Sequence, residues 1–578
     1  MKAKYLLFVL LLLAGTACDD DFLNKPPKDK INSDAVFKDM DLVQANLNEV
    51  LGRLPSGHFE GGKGYGRYYM LGSITDEARS KSGWVKSNKV IIKGALSPTL
   101  SSHNDTGLGN WNDLYKDIRA VHDLMKGLED SPLDEEFKNK VLNQARFVRA
   151  IKYFDLARRY GDIPLLKEAQ DVPDDYADLF VPKSKQSEIY AFVKAELDEI
   201  ATQLPKLSDT PSGGISRQAA IALNARTMLY AERWAEAAAY ADQLIWGDAN
   251  DGLDLYKPEP ATAEEAVANM RELFISLGGN TETILEKNYL EGSRKHSFDY
   301  GNWPVRWRGN NGGQTDPTQE LVNAFEMQAT GLPIDNPASG YNPEDPYKGR
   351  DPRFDMAVYH HGSPGPEGVA PRSGEPFIDM EWNKKNEGPG TIKDGNASIT
   401  GYLVRKFVDP RNGFYPRESF TSWQEFRFAE ILLIYAEAEN EANGPSAKVY
   451  EAINRIRRRA MMPPLKAGLD KEGMRQAIRH ERRIELVFES HRWFDLIRWR
   501  IARDVLDGYE PMGVKIERRE GAPTVAEQEY LFDPSQLKFS YFKVGGRSQV
   551  FPESHYLLPI PQSELNKFPE LGQNPGYD

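Results

Sequence analysis

The strongest hydrophobic pattern in the chain lies in residues 145–166, which read ARFVRAIKYFDLARRYGDIPLL. Two apolar stripes recur there at helical spacing, namely Phe147, Ala150, Ile151, Phe154 and Ala157, and Ala145, Val148, Tyr153, Leu156 and Tyr160. A helix that is apolar on two sides is expected to be buried between neighbours, and Gly161 and Pro164 are expected to end it. Its six charged residues are predicted to form structural ion pairs, because an unpaired buried charge is costly.

Helical periodicity recurs along the rest of the chain. It predicts helices over residues 34–54, from Trp111 onward, before Pro205 and over 471–499. Residues 219–245 and 428–460 each predict two antiparallel helices joined by a short turn, with small residues where the helices approach. These helix pairs look like tetratricopeptide repeats. The chain is therefore predicted to be mostly α, with repeated helix pairs as its scaffold.

Two long stretches lack this periodicity. Residues 56–110 and 251–422 are rich in glycine, proline and aromatic residues, and their strand-like patches, such as TILEKNY and GYLVRKFVD, are short. We read them as loop-rich elaborations of the helical scaffold, and we read the final YLLPIP stretch as a strand followed by a proline-punctuated tail. Loops of this length usually carry function or are disordered.

Composition narrows the class of protein. The chain has 578 residues, 40% of them hydrophobic and 28% charged, which is typical of globular proteins. Its net charge of -13 argues against a general nucleic-acid binder and against binding to an anionic membrane surface. The single cysteine, Cys18, allows no intramolecular disulfide.

The position of Cys18 indicates a processing signal. Lys2 and Lys4 precede an apolar run that is too short to span a membrane, and small residues lead into the cysteine. This start resembles a bacterial lipoprotein signal, with residues 1–17 as the signal peptide, Cys18 as the lipidated residue and residues 18–30 as a tether. The alternative is a leftover cysteine at a plain secretory cleavage site. The three aspartates after Cys18 resemble the export tag of surface lipoproteins in the Bacteroidetes group, which implies a location outside the cell.

The sequence shows no local signature of catalysis. HERRIE, at residues 480–485, has Ile484 where a zinc protease needs its second histidine, and no GxSxG, P-loop or CxxC pattern occurs. His360 and His361 could bind a metal, but a solvent-facing pair is the preferred interpretation. The acidic stretch GDANDGLD fails the calcium-loop spacing, so a solvated turn is preferred there. We therefore predict no catalytic residue, no metal and no cofactor.

A sugar-binding site needs a flat apolar platform with polar groups beside it, which tryptophan and tyrosine in loops can supply. Trp111, Trp234, Trp493 and Trp499 fall in helical patterns and are assigned to the core. The remaining aromatic and polar residues in loops are the predicted ligand contacts: Trp84, Trp303, Trp307, Trp382, Tyr300, Asp76, Arg79 and Asn302. Local packing of each loop tryptophan against the scaffold is the competing interpretation.

Nine stretches in register carry a family resemblance. They include RFVRAIKYFDLARRYGDIPLL, VPKSKQSEIYAFVKAELDEIATQLP, GRDPRF, RFAEILLIYAEAENEANG, IRHERRIELVFESHRWFDLIRW and YLLPIPQSELNKFPELGQNPGY. Each resembles a stretch of the SusD/RagB family of outer-membrane nutrient-binding lipoproteins, in the same order along the chain. The resemblance implies a SusD-like fold, with an N-terminal helical region at 31–250 and a C-terminal region at 251–578 that holds a loop-rich insertion and a final repeat.

The resemblance also implies a function. Family members act as surface-exposed lids on SusC-like TonB-dependent transporters and capture an oligosaccharide or polysaccharide, without catalysis. Three alternatives stay open: a peptide-binding relative that closes a peptide importer, a glycan hydrolase, and a purely structural lid without a ligand. The family's ligand residues lie in variable loops, so none is assigned here by motif.

Overall fold

The structure is a computed structural model of the chain. It describes residues 33–58, 70–80, 90–99, 108–171, 173, 176–276, 278–304, 313–366, 377–383, 388–389, 398–412, 418–522, 533–545 and 548–577. Among these residues, no helix is both long enough and apolar enough to cross a bilayer.

Helices dominate, as predicted. Within the described residues they are α1 Ser33–Val36, α2 Met40–Leu51, α3 Trp111–Glu129, α4 Glu135–Tyr160, α5 Gln186–Ala201, α6 Arg217–Tyr230, α7 Trp234–Ile245, α8 Ala263–Ile275, α9 Phe298–Asn302, α10 Gln319–Ala324, α11 Pro352–Ala357, α12 Phe428–Asn443, α13 Ala447–Arg459, α14 Lys471–Glu485, α15 Arg492–Arg498, α16 Ala502–Leu506 and α17 Gln562–Lys567.

The described strands are short and form antiparallel pairs. In chain order they are β1 Ala78–Ser80, β2 Ile163–Pro164, β3 Lys183–Ser184, β4 Thr283–Lys287, β5 Thr315–Pro317, β6 Val358–Tyr359, β7 Trp382–Asn383, β8 Gly388–Pro389, β9 Leu403–Val404, β10 Trp423–Arg427, β11 Met512–Arg518 and β12 Leu537–Lys543. The pairs are β1–β5, β2–β3, β4–β10, β6–β9, β7–β8 and β11–β12. The fold is therefore mostly α, and its strands serve to fasten loops.

The predicted helix pairs form the scaffold. Helix α6 packs against α7, α12 packs against α13, and α4 packs against both α3 and α5. The opening stretch is the second half of α4, a helix of 26 residues. Gly161 ends it with φ 74°, a left-handed value that glycine adopts at little cost. Both apolar stripes of α4 are buried, which confirms that neighbours enclose it.

The charges on α4 are paired, as predicted. Arg146 binds Glu196 at 2.9 Å and Glu199 at 2.7 Å, and Arg149 also binds Glu196. Lys152 binds Asp117 of α3 at 2.9 Å. Farther along, Asp155 binds both Arg158 and Arg159. The pairs of Arg146, Arg149 and Lys152 join α4 to its neighbours, and those of Asp155 lie within α4, so the charges serve the structure.

Two predicted helices are interrupted. The one over 34–54 is α1 followed by α2, because the Asp39 carboxylate accepts the backbone N–H of Asp41 at 2.9 Å and begins a new helix. The one over 471–499 is α14 followed by α15. Lys406 donates to the carbonyl of Val487 at 3.0 Å, and Arg427 donates to that of Glu485 at 2.9 Å. These buried cations bind the carbonyls at the end of α14 and favour termination there.

The predicted C-terminal strand is wrong. Residues Glu553–Tyr556 form a turn of 3₁₀ helix, and α17 follows. Pro559 and Pro561 have no N–H to donate, so the YLLPIP stretch cannot supply a strand ladder. The Leu558 N–H instead donates to the carbonyl of Arg159 at 2.8 Å, which fastens the tail to the end of α4.

The described residues hold two hydrophobic cores and a buried ionic network. One core holds α2 to α7 and α12 to α14, and the other holds α8 to α11 with β6, β9 and β11. Arg427 of β10 stands in the network, where it binds Glu282, Glu485 and Glu489 at 2.6 to 2.8 Å. Arg459 binds Glu282 at 2.6 Å and also binds Glu485. The division of the chain at residue 250 stays a prediction.

Candidate functional site

One strand pair brings together two loops that sequence analysis selected. In the β1–β5 pair, Ser80 is the partner of Thr315. Segment 81–89 follows Ser80 directly, and segment 305–312 ends three residues before Thr315. One end of each segment is therefore attached at the same strand pair. Trp84 belongs to the first segment and Trp307 to the second, so both residues lie outside the described residues.

A third segment ends at the same strand pair. The N–H of Ile399, which follows segment 390–397, donates to Oδ2 of Asp316 at 2.9 Å. The two ends of segment 305–312 are also fastened to each other, because the Gly313 N–H donates to the Trp303 carbonyl at 3.0 Å. We call this end of the molecule, formed by β1, β5, residues 398–401 and Trp382, the loop-anchor face.

Trp382 is a partly exposed tryptophan on this face. It begins β7, its ring centroid is 5.1 Å from that of Phe542, and the Lys515 ammonium lies 5.1 Å from its ring centroid. The neighbouring strand β11 is joined to residues 398–401 by the Val514 N–H, which donates to the Thr400 carbonyl at 2.7 Å. An indole held by an aromatic edge and an ammonium is a preorganised platform with a donor beside it.

Sequence reasoning missed Phe542 and Lys515. They lie on β12 and β11, far from Trp382 along the chain, and the hairpin they form pairs Gly513 with Phe542 and Lys515 with Ser540. Alternating hydrophobicity in residues 537–543 would have indicated a strand, but nothing local would have indicated that it supports Trp382.

The predicted polar contacts Asp76 and Arg79 are both buried. Asp76 accepts from Arg492 at 2.8 and 2.9 Å and binds Arg483 at 2.9 Å. Burial would raise the pKa of Asp76, but these two guanidinium groups hold that pKa far below its usual value. Arg79 donates to Gln549 at 2.7 Å and stacks on the ring of Tyr509 at 4.9 Å. Their charges are engaged within the protein.

Three other predicted contacts lie around α9. Trp303 is fully buried in the second core, and Asn302 is 1% exposed and donates to the Phe298 carbonyl at 3.2 Å. The Nε1 of Trp303 and the Oδ1 of Asn302 have no hydrogen-bond partner in the described structure. Tyr300 is partly exposed. As placed, the Trp303 indole offers no face to a ligand, whereas Tyr300 and Trp382 keep part of their surface exposed.

The preferred interpretation of His360 and His361 is wrong, because both side chains are buried. His360 binds Asp355 at 2.9 Å, and Nδ1 of His361 accepts the Met380 N–H at 3.0 Å. His361 does lie close to Asp379 and Glu381, a set whose donor atoms could hold a cation. Glu381, however, binds Arg518 at 2.7 Å. An accepting Nδ1 and a neutralised carboxylate are poor ligands, so the set does not favour a metal.

The acidic stretch after Trp246 is likewise engaged within the protein. Asp251 accepts from the backbone N–H of Ser208 at 2.8 Å, and Asp254 binds Arg455 at 2.6 Å. These bonds account for the turn without calcium.

Two buried carboxyl groups have strongly raised pKa values. Burial, with the nearby Asp409 carboxylate, raises the pKa of Asp299 to about 7, although the Asp409 N–H donates to it at 3.0 Å. Burial, with the Asp76 carboxylate, raises the pKa of Glu77 to about 8. Perturbed carboxyls can mark active sites. Both side chains are almost fully buried, however, and neither is presented to a polymeric substrate.

Comparison with known proteins places this geometry in a family. A family model described as "SusD family" matches residues 281–577, and one described as "Starch-binding associating with outer membrane" matches residues 21–229. A "SusD-like protein P2" from Formosa agariphila is 25% identical over 589 residues, which cover 100% of both chains. A SusD-like protein from Bacteroides ovatus is 22% identical, again over 100% of this chain and 98% of its own.

Solved structures of SusD-like proteins also resemble this chain. A SusD-like protein from Bacteroides fragilis superposes with a TM-score of 0.76 at 26% identity, covering 96% of this chain and 100% of its own. A SusD-like carbohydrate-binding protein from the same species has a TM-score of 0.72 at 25% identity, covering 93% and 100%. A laminarin-binding SusD-like protein, at 20% identity and a TM-score of 0.63 with 93% and 99% coverage, shares the fold. The family model spans more than half of the chain, and the chain therefore belongs to the SusD family.

Proposed function

We propose that this protein captures an oligosaccharide or polysaccharide at the loop-anchor face and delivers it to a SusC-like TonB-dependent transporter. The observation that carries the proposal is the convergence of three loop ends on one strand pair, which residues 398–401 join to β11, the strand that supports the partly exposed Trp382. Trp84, Trp307, Trp382 and Tyr300 supply the aromatic platform, and Lys515 supplies a donor beside it.

The short distance along the chain from each loop tryptophan to its anchor supports a platform that Trp84 and Trp307 share. Trp84 follows Ser80 by four residues, and Trp307 precedes Gly313 by six. An extended chain spans at most about 3.5 Å per residue, so four residues from Ser80 can reach roughly 14 Å and six residues from Gly313 roughly 21 Å. Since the two anchors are adjacent, both indoles can reach one ligand.

The names of relatives support a glycan as the ligand. One matching family model describes starch-binding proteins, and one structural neighbour binds laminarin. A net charge of -13 fits an uncharged glycan better than a polyanion.

Retardation in native gels containing single polysaccharides tests the proposal. The purified chain lacking residues 1–18 is run against starch, laminarin and other neutral polymers, and at least one is expected to retard it. Trp382→Ala is expected to weaken that retardation about tenfold or more, while Trp246→Ala, which removes an exposed tryptophan at the end of α7, leaves it unchanged. Binding of peptides with no retardation by any polysaccharide would establish the peptide-importer alternative instead.

The same polymer separates binding from hydrolysis. Incubation of the retarding polymer with the protein is expected to release no reducing ends over time. Steady release, lost in Asp299→Asn or Glu77→Gln, would overturn the noncatalytic assignment.

We further propose that Cys18 is acylated and anchors the protein in the outer membrane, exposed at the cell surface. Several acyl chains at about 0.8 kcal/mol per buried methylene give durable anchoring. Labelled palmitate is expected to enter the wild-type protein and not Cys18→Ser, and the anchored protein is expected to copurify with a TonB-dependent transporter. Copurification without any glycan affinity would establish the structural-lid alternative.

A further inference from the structure

A cleft of about 1190 Å³ opens between α2, α4, the connection at 203–215 and the end of β4. It shares no residue with the loop-anchor face. Its described lining holds no aromatic residue and is rich in carboxamides, among them Gln44, Asn48, Asn139, Asn143, Gln203 and Asn288. The volume exceeds the roughly 300 to 1,000 Å³ of small-molecule sites, which indicates an extended ligand.

The carboxamides define the chemistry of that ligand. Gln44 donates to Asn48 at 3.0 Å, one turn along α2, and Asn143 of α4 donates to Gln203 at 3.4 Å. Each carboxamide has two donors and a two-lone-pair acceptor, so a mutual bond leaves capacity for a ligand. Peptide groups present the same planar pairing of donor and acceptor. Without an aromatic platform the cleft lacks what a sugar ring requires, but it matches an extended main chain.

A buried carboxylate on the cleft wall indicates which charge the ligand should carry. Glu286 of β4 is 4% exposed and accepts from the Ser212 hydroxyl at 2.5 Å. The neighbouring Ser422 hydroxyl donates to Asn288 at 2.9 Å, and burial raises the pKa of Glu286. No ion pair to Glu286 occurs within the described residues. A cation brought by the ligand would satisfy this carboxylate.

Two of the three basic residues that line the cleft are engaged elsewhere, and the third, Lys140, lies exposed on α4. Lys287 donates to the Leu54 carbonyl at 2.9 Å, and Arg294 donates to the carbonyl of Gly52. Both therefore bind carbonyl groups at or just after the C-terminal end of α2, where a cation interacts favourably with the helix dipole. Neither of these two cations therefore neutralises the Glu286 carboxyl group, which lines the cleft.

We propose that this cleft binds an extended peptide carrying a lysine or arginine, with the carboxamides pairing its main chain and Glu286 receiving its cation. The site is separate from the proposed glycan platform and does not depend on it.

A random nonapeptide library displayed on phage, selected on the full mature chain, tests this proposal. Enriched sequences are expected to contain lysine or arginine, and the dissociation constant of one enriched, end-blocked peptide is then measured by calorimetry. Gln44→Ala with Asn48→Ala is expected to raise that constant about tenfold. The matched control is Gln562→Ala with Asn566→Ala, which removes the same pairing, at 2.9 Å, from the exposed surface of α17 and leaves binding unchanged.

Glu286→Gln keeps an acceptor for Ser212 and removes the charge, so it is expected to abolish the preference for a basic residue while the thermal midpoint is retained. The same sequence held inside a folded carrier protein distinguishes a free peptide from a segment of a partner protein, and binding of either supports the site.

Three results would overturn the proposal: no sequence enriched on the wild-type chain, equal affinity in the Gln44/Asn48 and control variants, or an oligosaccharide whose binding is lost in the Gln44/Asn48 variant. Polysaccharide retardation by the loop-anchor face is expected to be the same in every one of these variants. Its loss in the wild-type chain would contradict the proposed function alone.

Discussion

Charged residues form ion pairs within the protein both in the helical scaffold and near the loop-anchor face, although the sequences of the two regions look different. On α4 the charges recur within an apolar helical pattern, and pairing was the natural expectation. Asp76 and Arg79 instead lie within a loop-rich stretch, where polar residues suggest ligand contact. Yet Asp76 binds Arg483 and Arg492 from the far end of the chain, much as Arg149 binds Glu196. A loop position alone does not distinguish a ligand residue from one that fastens the loop to the scaffold.

The two regions differ in what surrounds their exposed aromatic residues. Trp382 is partly exposed in the region where loop ends converge, whereas the scaffold buries most of its large aromatics, with Trp246 at the end of α7 as an exposed exception, and pairs its buried charges. Substitutions in the scaffold should therefore change stability, and substitutions at Trp382 and its neighbours should change binding.

The largest effect is expected from Arg427→Met. Arg427 is 1% exposed, and its guanidinium binds Glu282, Glu485 and Glu489. Its loss leaves carboxylates short of a counter-charge, which costs about 3–5 kcal/mol. Chemical denaturation measures the loss. Arg458→Ala, a half-exposed arginine on α13, is the control and should cost less than about 1 kcal/mol. Equal stability of the two variants would show that the network is not a stability element.

Two tryptophans from the predicted site should behave oppositely. Trp303→Ala empties a site in the second core and is expected to cost about 3–5 kcal/mol in the free energy of unfolding. Trp382→Ala removes a partly exposed ring and is expected to cost about 1 kcal/mol or less. Thermal melts of the two variants compare them directly. A Trp303→Ala variant as stable as the wild type would place that indole outside the core.

Glu77→Gln should reveal a pH-dependent cost of burial. The pKa of Glu77 is about 8 in the folded protein, against 4.5 ordinarily. Below about pH 4.5 the group is protonated whether the chain is folded or unfolded, and it has no effect. As pH rises toward 8 the unfolded chain releases this proton and the folded chain keeps it, so the wild type loses stability.

The stability advantage of Glu77→Gln is therefore expected to grow between pH 5 and pH 8 and then level off. Denaturation midpoints of both proteins across that range measure the advantage. A constant difference would contradict a raised pKa.

Arg149→Ala is expected to lower stability by about 2 kcal/mol. The Arg149 side chain is 5% exposed, donates to the Lys167 carbonyl at 2.9 Å and binds Glu196. Glycan affinity of the folded fraction should not change, because α4 contributes nothing to the loop-anchor face. An affinity loss in fully folded Arg149→Ala would assign α4 a role in binding.

The sequence predicts the scaffold well because local periodicity determines it. The stripes of α4, the glycine at its end and the two helix pairs can all be read within a window of a few turns. The break between α14 and α15 cannot, because the cations that bind its carbonyls, Lys406 and Arg427, come from distant strands. The strand at the C-terminus was an error that Pro559 and Pro561 already contradicted.

The candidate site was harder to predict. Tryptophan content selected Trp303 and Trp382 equally, and only tertiary packing buries one and exposes part of the other. The support of Trp382 by Phe542 and Lys515 depends on the β11–β12 hairpin and its position beside β7. Residue type can thus suggest which tryptophan binds a ligand. The residues that support it are brought there by strand pairing between distant parts of the chain, which the sequence does not reveal.

The smallest expected effect concerns the donor beside that platform. The Lys515 ammonium lies 5.1 Å from the Trp382 ring centroid and can donate to a sugar hydroxyl above the indole edge. Lys515→Ala should weaken polysaccharide retardation about threefold and leave the thermal midpoint nearly unchanged, since a partly exposed cation, here paired with Glu517 at 3.0 Å, contributes about 0.5–1 kcal/mol. Lys538→Ala, an exposed lysine on the same hairpin, should change neither. If Lys515→Ala binds as tightly as the wild type, the indole alone forms the platform, and the loop-anchor face recognises its ligand by ring stacking without the ammonium.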